Sequence, residues 1–563
     1  MMHQPADAPI ASRLPPPARL TLVAAFGLAI VVLRAAWMSD DAYITLRTID
    51  NFWHGYGLRW NILERVQVYT HPLWMMLVSL PYGVTREPYF TTLAVSGACL
   101  IAAVALMIRR LAPWSAFVAL VALTASRAFV DYSTSGLENP LSHLLLIAFC
   151  LTLLHDGVRP AAQSRTLAWL AMLCALTRLD LALLVMPALL VQVRETRVHE
   201  TRVHVAGRAA ARHLWRDIAL AFLPLLAWHL FTLTYYGALV PNTALAKLHT
   251  GVPKIALLTQ GLWYLRDSLQ ADFVTLPLIV AGIIVAARRG GRARALAAGM
   301  VAYLAYVVWV GGDFMSGRFL TPPFVCAVVS IAVAAGVGGG VGVAAAGSMG
   351  TAGTVRAPRR AVLIAVALLA AGLVSPRSPL HLWVAERPEL TPSDQLRGIV
   401  NERAAYAYHT GLIPALVRGA RADGHPWAEA GRKSSAWPRV ITYEAVGLLG
   451  FYAGPQVTLI DPMALSDAFL ARLPALPGWR PGHFRRALPP GYLASWEDCL
   501  ARVFPNGAFA PADKTCLSAG AVNHLEDPAL RALYADVTLV TQGPLFEPGR
   551  WQAIARLNRS GAF

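Results

Sequence analysis

Residues 20–38 read LTLVAAFGLAIVVLRAAWM, and residues 39–47 follow as SDDAYITLR. The first stretch carries a single charge, Arg34. At about 1.5 Å of rise per residue, a helix of that length matches a hydrocarbon layer about 30 Å thick. The second stretch places two adjacent carboxylates where the chain would leave the lipid. No small-residue cleavage site separates the two. The pattern predicts an uncleaved first membrane span, with Met1 to Arg19 as a cytoplasmic arm.

The rest of the chain repeats the pattern. It has 563 residues, of which 56% are hydrophobic and only 14% charged, and its mean hydropathy is +0.48. A soluble domain usually carries about 25% charged residues. A soluble enzyme, a disordered chain and a disulfide-dense scaffold are excluded as whole-chain readings. Apolar runs recur near 89–108, 112–130, 139–155, 163–177, 179–193, 217–236, 272–287, 295–311, 319–338 and 361–376. With the first, they predict a polytopic α-helical membrane protein of about 11 transmembrane helices.

The formal net charge is +17. Its arginines sit between the apolar runs: Arg109 and Arg110, the segment Arg194 to Arg216, Arg288 to Arg294, and Arg356 to Arg360. The positive-inside rule assigns these to the cytoplasm and argues against nucleic acid as a partner. Outside then lie 39–87, 131–138, 237–271, 312–318 and everything after about residue 378. The run His71 to Val84 is short and bracketed by Pro72 and Pro81. It is read as a re-entrant or interfacial helix, since a crossing there would put the arginine clusters outside. A tandem repeat, residues 195–199 and 200–204, lies in a tolerant cytoplasmic loop. Ala335 to Gly353 reads as a span end followed by a Gly/Ala-rich linker.

Beyond residue 378 no run is long enough to span. Strand-like Val440 to Tyr443, Val457 to Ile460 and Val537 to Val540 alternate with helical stretches. The expected organisation is an arm over 1–19, a transmembrane catalytic domain over 20–378 and a soluble α/β domain over 379–563. Cys499 and Cys516 lie in that last domain and are expected to pair in an oxidising compartment.

Transporters place ionisable residues inside their spans. Here the polar clusters stand at outer span ends. Asp40 and Asp41 supply carboxylates whose surroundings should raise at least one pKa, as suits a general base. Ser39 or Asp40 also suits the N-cap of an interfacial helix. Glu138 precedes a span, and Arg178 with Asp180 sits between two short ones. Asn242 and Lys247 open the long outer loop, and Asp313 with Arg318 forms a glycine-flanked pair. Cations at the membrane surface suit a lipid-borne phosphate.

Asp40-Asp41-Ala-Tyr-Ile44, His54-Gly-Tyr-Gly-Leu-Arg-Trp-Asn61 and Tyr69-Thr-His-Pro72 together resemble the first outer loop of polytopic GT-C glycosyltransferases. The resemblance is to the terminal β-1,2-arabinofuranosyltransferases of mycobacterial cell walls and their relatives. Thr177-Arg178-Leu-Asp180, Tyr236-Gly237 with Asn242 and Lys247, Gly312-Asp313 with Arg318, and Asp461-Pro462 with Asp467 also resemble that family. The resemblance implies an inverting enzyme of the bacterial inner membrane, with its active site on the periplasmic side. The implied donor is a polyprenyl-phosphate sugar of the decaprenyl-phosphoarabinose type, drawn from membrane lipid. The implied acceptor is a periplasmic glycan or glycoprotein. Asp40 resembles the family's first-loop aspartate and is the favoured base, with Asp41 beside it. Arg178, Arg318, Lys247 and His71 are the expected phosphate-binding residues. Glu138, Asp180, Asn242, Asp313 and Tyr69 complete the site, and Asp461 and Asp467 are assigned to the acceptor. A divalent cation is left open. A hexosyl donor such as mannose, a lipid-linked glycan transporter and a non-catalytic glycan-binding protein are the competing readings.

Overall fold

The computed structural model describes residues 16–155, 159–203, 207–248, 250–337, 356–381, 395–419, 422–507 and 514–559. Most of the cytoplasmic arm and the linker within Ala335 to Gly353 lie outside the described residues. The chain is mostly helical. Helices α1 (Pro16–Ala35), α2 (Asp40–Trp53), α3 (Pro72–Thr85) and α4 (Pro88–Arg110) come first. Then follow α5 (Pro113–Ala125), α6 (Arg127–Asp131), α7 (Asn139–Leu154), α8 (Pro160–Thr177) and α9 (Ala182–Val203). Next are α10 (Gly207–Ala221), α11 (Leu223–Tyr235), α12 (Asn242–Leu248), α13 (Lys254–Ala271) and α14 (Thr275–Arg289). Helices α15 (Gly291–Trp309), α16 (Thr321–Val337) and α17 (Arg356–Val374) close the apolar bundle.

Local chemistry sets the ends. Ser39 caps α2, its hydroxyl accepting from the Ala42 N–H, and Asp40 and Asp41 occupy the first turn where the helix dipole favours anions. Glu87 caps α4 with three backbone N–H bonds ahead of Pro88, and Arg109 and Arg110 end it. Where helices cross, small residues let backbones meet. A Cβ at Gly299 would fall 2.3 Å from the Leu184 carbonyl, and one at Gly282 would fall 2.3 Å from the Ala327 Cβ.

Three helical segments among the described residues are long and apolar enough to cross a membrane: Pro17–Ala35, Pro88–Arg110 and Arg318–Gly336. The number reaches five if the bent pairs α10–α11 and α13–α14 each count once. This fits a polytopic membrane protein but not an independent count of eleven. Helices α5, α7 and α11 are too short to cross alone. Helices α8, α15 and α17 begin with arginines that use up part of their length. Helix α3 has 14 residues and runs alongside α2, tied by Thr45 to His71, Asp50 to Tyr82 and Trp53 to Ser79.

Past residue 394 the described chain forms β1 (Gln395–Leu396), β2 (Ile399–Val400), α18 (Glu402–Thr410), α19 (Leu412–Arg418) and α20 (Pro426–Ser434). Then come β3 (Arg439–Thr442), α21 (Val446–Ala453), β4 (Val457–Ile460), α22 (Tyr492–Val503), α23 (Pro528–Gln542) and α24 (Pro548–Arg559). Strands β1 and β2 pair antiparallel; β3 and β4 pair in parallel across α21, Val440 opposite Thr458. Cys499 and Cys516 are disulfide-bonded. Val537 to Val540 corrects one expectation. These residues lie in α23, not in a strand. Asp527 caps that helix, Pro528 starts it, and Tyr534, Val537, Val540 and Thr541 bury one helical face.

The first outer loop is built into this C-terminal region. Arg47, fully buried, donates to the carbonyls of Trp60 (2.9 Å), Gly450 (2.6 Å) and Val457 (2.7 Å). The backbones of α2 and α21 touch so closely that a Cβ at Gly447 would sit 1.9 Å from the Asp40 carbonyl oxygen. Gly447→Ala should therefore destabilise the protein by about 1–3 kcal/mol and open the C-terminal region to limited proteolysis. Gly424→Ala, with nothing within 4 Å of its Cβ, should behave as wild type in the same detergent thermal melt.

Candidate active site

Helix and turn ends from several parts of the chain converge on Glu138. Glu138 is the residue just ahead of α7 and has no exposed surface. Its carboxylate accepts from Arg178 (2.8 Å) and Arg318 (3.2 Å) and pairs with His71 Nδ1 (3.1 Å). Arg178 ends α8, His71 precedes α3, and Arg318 opens the turn before α16. The loop carrying Glu138 is clamped: Trp74 donates to the Gly136 carbonyl, and Ser39 N–H donates to the Ser135 carbonyl. Gly136 has φ +80, and a Cβ there would strike Ala42 and Met38.

Each arginine has a second anion. Arg178 grips Asp180 with two hydrogen bonds, 2.9 and 2.6 Å, and lies over the Phe319 ring. Arg318 faces Asp313 at 3.5 Å. Burial alone would raise the Glu138 pKa, but Arg318, His71 and Arg178 outweigh it and hold the carboxyl well below its ordinary range.

Two charged groups remain without a partner. Asp41, half-buried in the first turn of α2, makes no side-chain hydrogen bond or ion pair among the described residues. Its pKa is raised by burial first, then by Asp313 and Glu138, against the pull of Arg318 and Lys247. Lys247, in the last turn of α12, is reachable by solvent and has no ion pair among the described residues. A Cβ at Gly482 would lie 3.6 Å from its ammonium, so the loop around Gly482 borders it.

Asp40 looks the other way. Its oxygens accept the N–H groups of Gly447 (3.1 Å) and Leu448 (2.7 Å), capping α21. Burial raises its pKa to about 7, the Leu448 amide pulls it down, and Asp41 pushes it up. Asp40, expected to be the base, is thus engaged by the α21 amides, while Asp41, about 100° round the helix, is the one of the two that meets the cations. Asp461 and Asp467 are likewise put to another use than acceptor binding. Both are buried. Asp461 accepts from the amides of Met463 and Ser466; Asp467 accepts from those of Phe469 and Leu470 and from the Tyr492 hydroxyl. Asn242 donates to the carbonyls of Ala464, Leu465 and Asp467, holding Ala464 at φ +61. Tyr69 bonds the Tyr236 hydroxyl at 2.9 Å, apart from the cations.

The cluster also includes residues that sequence reasoning missed. Glu402, on α18, is buried and pushed well above its ordinary pKa by burial and by Asp41 and Asp40. His483 is lowered to about 3, by burial and then by Arg480. Both come from the C-terminal region, and no spacing in the sequence links them to the first loop. Among the described residues, no three His, Cys, Asp or Glu side chains could hold a metal ion. The cluster's carboxylates Glu138, Asp180 and Asp313 are matched to arginines, which fits an anion site and not a metal centre.

No family model matches the chain. It is 28% identical over 347 residues to the terminal beta-(1->2)-arabinofuranosyltransferase of Mycobacterium tuberculosis, covering 53% of this chain and 52% of that one. It is 28% identical over 340 residues to the protein of the same name from Corynebacterium glutamicum, covering 53% and 48%. The chain thus spans about half the length of the curated relatives it matches. Among solved structures, ArnT from Cupriavidus metallidurans bound to undecaprenyl phosphate aligns with a TM-score of 0.45 at 14% identity, over 80% of this chain and 87% of that one. Its apo form gives 0.46 at 16% identity, over 80% and 86%.

Glu138→Gln should cost about 3–5 kcal/mol of stability, because it leaves two arginines held out of water short of their shared anion. For Asp40, a folded-state pKa of about 7 against an ordinary 3.8 means that the folded state holds its proton longer. That contribution to stability is complete below pH 3.8 and is lost as pH rises towards about 7. Melting temperatures measured from pH 4 to 8 should therefore fall less for Asp40→Asn than for wild type. A residual slope should persist in that variant from Glu64, raised to about 8, and Asp461, raised to about 7.

Proposed function

We propose that the chain is an inverting glycosyltransferase of the bacterial inner membrane. It takes a sugar from a polyprenyl phosphate and transfers it to a glycan or glycoprotein on the periplasmic face. The observation that carries this reading is the pair of unpartnered, solvent-reachable groups of opposite sign, Asp41 and Lys247, beside one buried cation cluster. The similarity to arabinofuranosyltransferases over half the chain supports D-arabinofuranose as the sugar.

Asp41 removes the proton from the acceptor hydroxyl as its oxygen attacks the anomeric carbon. The bond from that carbon to the phosphate oxygen breaks in the same step, on the opposite face, which inverts the centre. The phosphate leaves with the bonding pair, and Lys247, with Arg318 behind it, neutralises the growing charge. Glu138 keeps the arginines in place and prevents them from repelling one another.

Purified protein should transfer arabinose from a synthetic polyprenyl-phosphoryl arabinofuranose to an arabinose-containing acceptor. Asp41→Asn should lower kcat/KM by at least about a hundredfold. Lys247→Gln should also lower it, while Asp40→Asn should retain the larger part. With Asp41 raised above the ordinary carboxylate value, kcat/KM should climb with pH along an acid limb that Asp41→Asn abolishes. Full activity in Asp41→Asn would sink the assignment of the base. Transfer from a hexosyl donor alone would remove arabinose and leave the mechanism standing.

A further inference from the structure

Helix α13 lies at the rim of the same end of the bundle, bent 107° from α14. Its inner face holds the site: the Tyr264 hydroxyl accepts the Phe319 N–H and donates to the Met315 carbonyl, and Gly312 sits against the Tyr264 ring. Its outer face exposes Ile255, Leu262 and Leu269, one stripe at seven-residue spacing. Cations stand over indoles along it, Lys254 over Trp309 at 4.8 Å and Arg266 over Trp263 at 4.5 Å. Apolar stripe, indoles and cations together describe a helix lying in the membrane–water interface.

One position on this helix is unusual. Arg397 also stands over Trp263, at 4.2 Å, so two guanidinium groups converge on one indole. Neither has a carboxylate partner among the described residues, unlike Arg178, Arg318 and Arg127. Like charges brought together without an anion repel. Arg397 is nevertheless held there by a left-handed backbone, φ +49, and by a hydrogen bond from Gln260 to its carbonyl. The unpaired cations continue inward. A Cβ at Gly398 would fall 2.8 Å from that of Arg480, which has no ion pair among the described residues. Two residues on, Gly482 lies against Lys247.

We propose that Trp263, Arg266 and Arg397 form a binding site for a lipid-borne phosphate at the membrane surface. This site is the outer end of a row of cations that runs past Arg480 to Lys247. The indole and the exposed stripe face the lipid chain, and the two guanidinium groups take the phosphate oxygens. A polyprenyl phosphate monoester and an anionic phospholipid share that chemistry. The site stands on its own contacts, so it survives if the transferase reading fails.

Native mass spectrometry of the full chain in detergent tests it, with decaprenyl phosphate, phosphatidylglycerol and phosphatidylcholine titrated separately. Arg266→Gln/Arg397→Gln should weaken retention of a phosphate-bearing anionic lipid about twenty-five-fold, each surface cation being worth about fivefold. Trp263→Leu should weaken it in the same direction. Arg288→Gln/Arg289→Gln, which removes the same charge at the far end of α14, should bind as wild type. A loss confined to decaprenyl phosphate makes the site a station for donor or spent carrier. A loss confined to phosphatidylglycerol makes it an annular lipid site. Retention of both anionic lipids by the Arg266/Arg397 variant overturns the proposal, and so does an equal loss in the Arg288/Arg289 control.

Discussion

A single buried carboxylate organises the site. Glu138 has no exposed surface, yet it stays ionised because two arginines and a histidine from three other segments reach it. A lone buried carboxylate would cost several kcal/mol in desolvation, and so would each buried arginine. Together they are tolerable, and only in one arrangement. The ends of α7, α8 and α3 and the turn before α16 are therefore held in a fixed relation. The loop of Gly136 can approach α2 only because it lacks a Cβ. Among the described residues the cluster leaves Asp41 and Lys247 without an ion pair.

Asp40 and Asp41 show how one turn of helix divides two tasks. The same N-terminal turn of α2 aims one carboxylate at backbone amides of α21 and the other at the cations. The first ties the outer loop to the C-terminal region; the second is available to an acceptor. Arg47, Asn61 and Arg65 extend the tie through carbonyls of the same region. The C-terminal region and the first loop thus share a core. The residues after 394 act on the site by contact, through Glu402, His483 and the turn at Gly482.

Much of this was legible in the sequence. Apolar runs at near-spanning length marked a polytopic protein, because lipid admits little else. The polar residues at the run ends included Asp41, His71, Glu138, Arg178, Asp180, Lys247, Asp313 and Arg318, and all eight meet in the fold. They could be picked out because ionisable groups at the edge of an apolar helix are expensive unless paired or used. The strand expected at Val537 to Val540 rested on its three β-branched residues, Val537, Thr538 and Val540. The cap of α23 and its three- and four-residue burial pattern decide for helix.

The sequence by itself determined a polytopic membrane protein and marked out the polar residues at the ends of its apolar runs, since both follow from hydropathy and from the cost of charge beside lipid. Only the tertiary structure decided their partners. Two adjacent aspartates are equivalent in a sequence and point about 100° apart on a helix. Asp461 and Asp467 become loop braces because the amides around them, which no motif displays, consume their oxygens. Trp263, Arg266 and Arg397 become neighbours because the turn at Gly398 folds back onto α13, a contact across more than a hundred residues that no local pattern encodes.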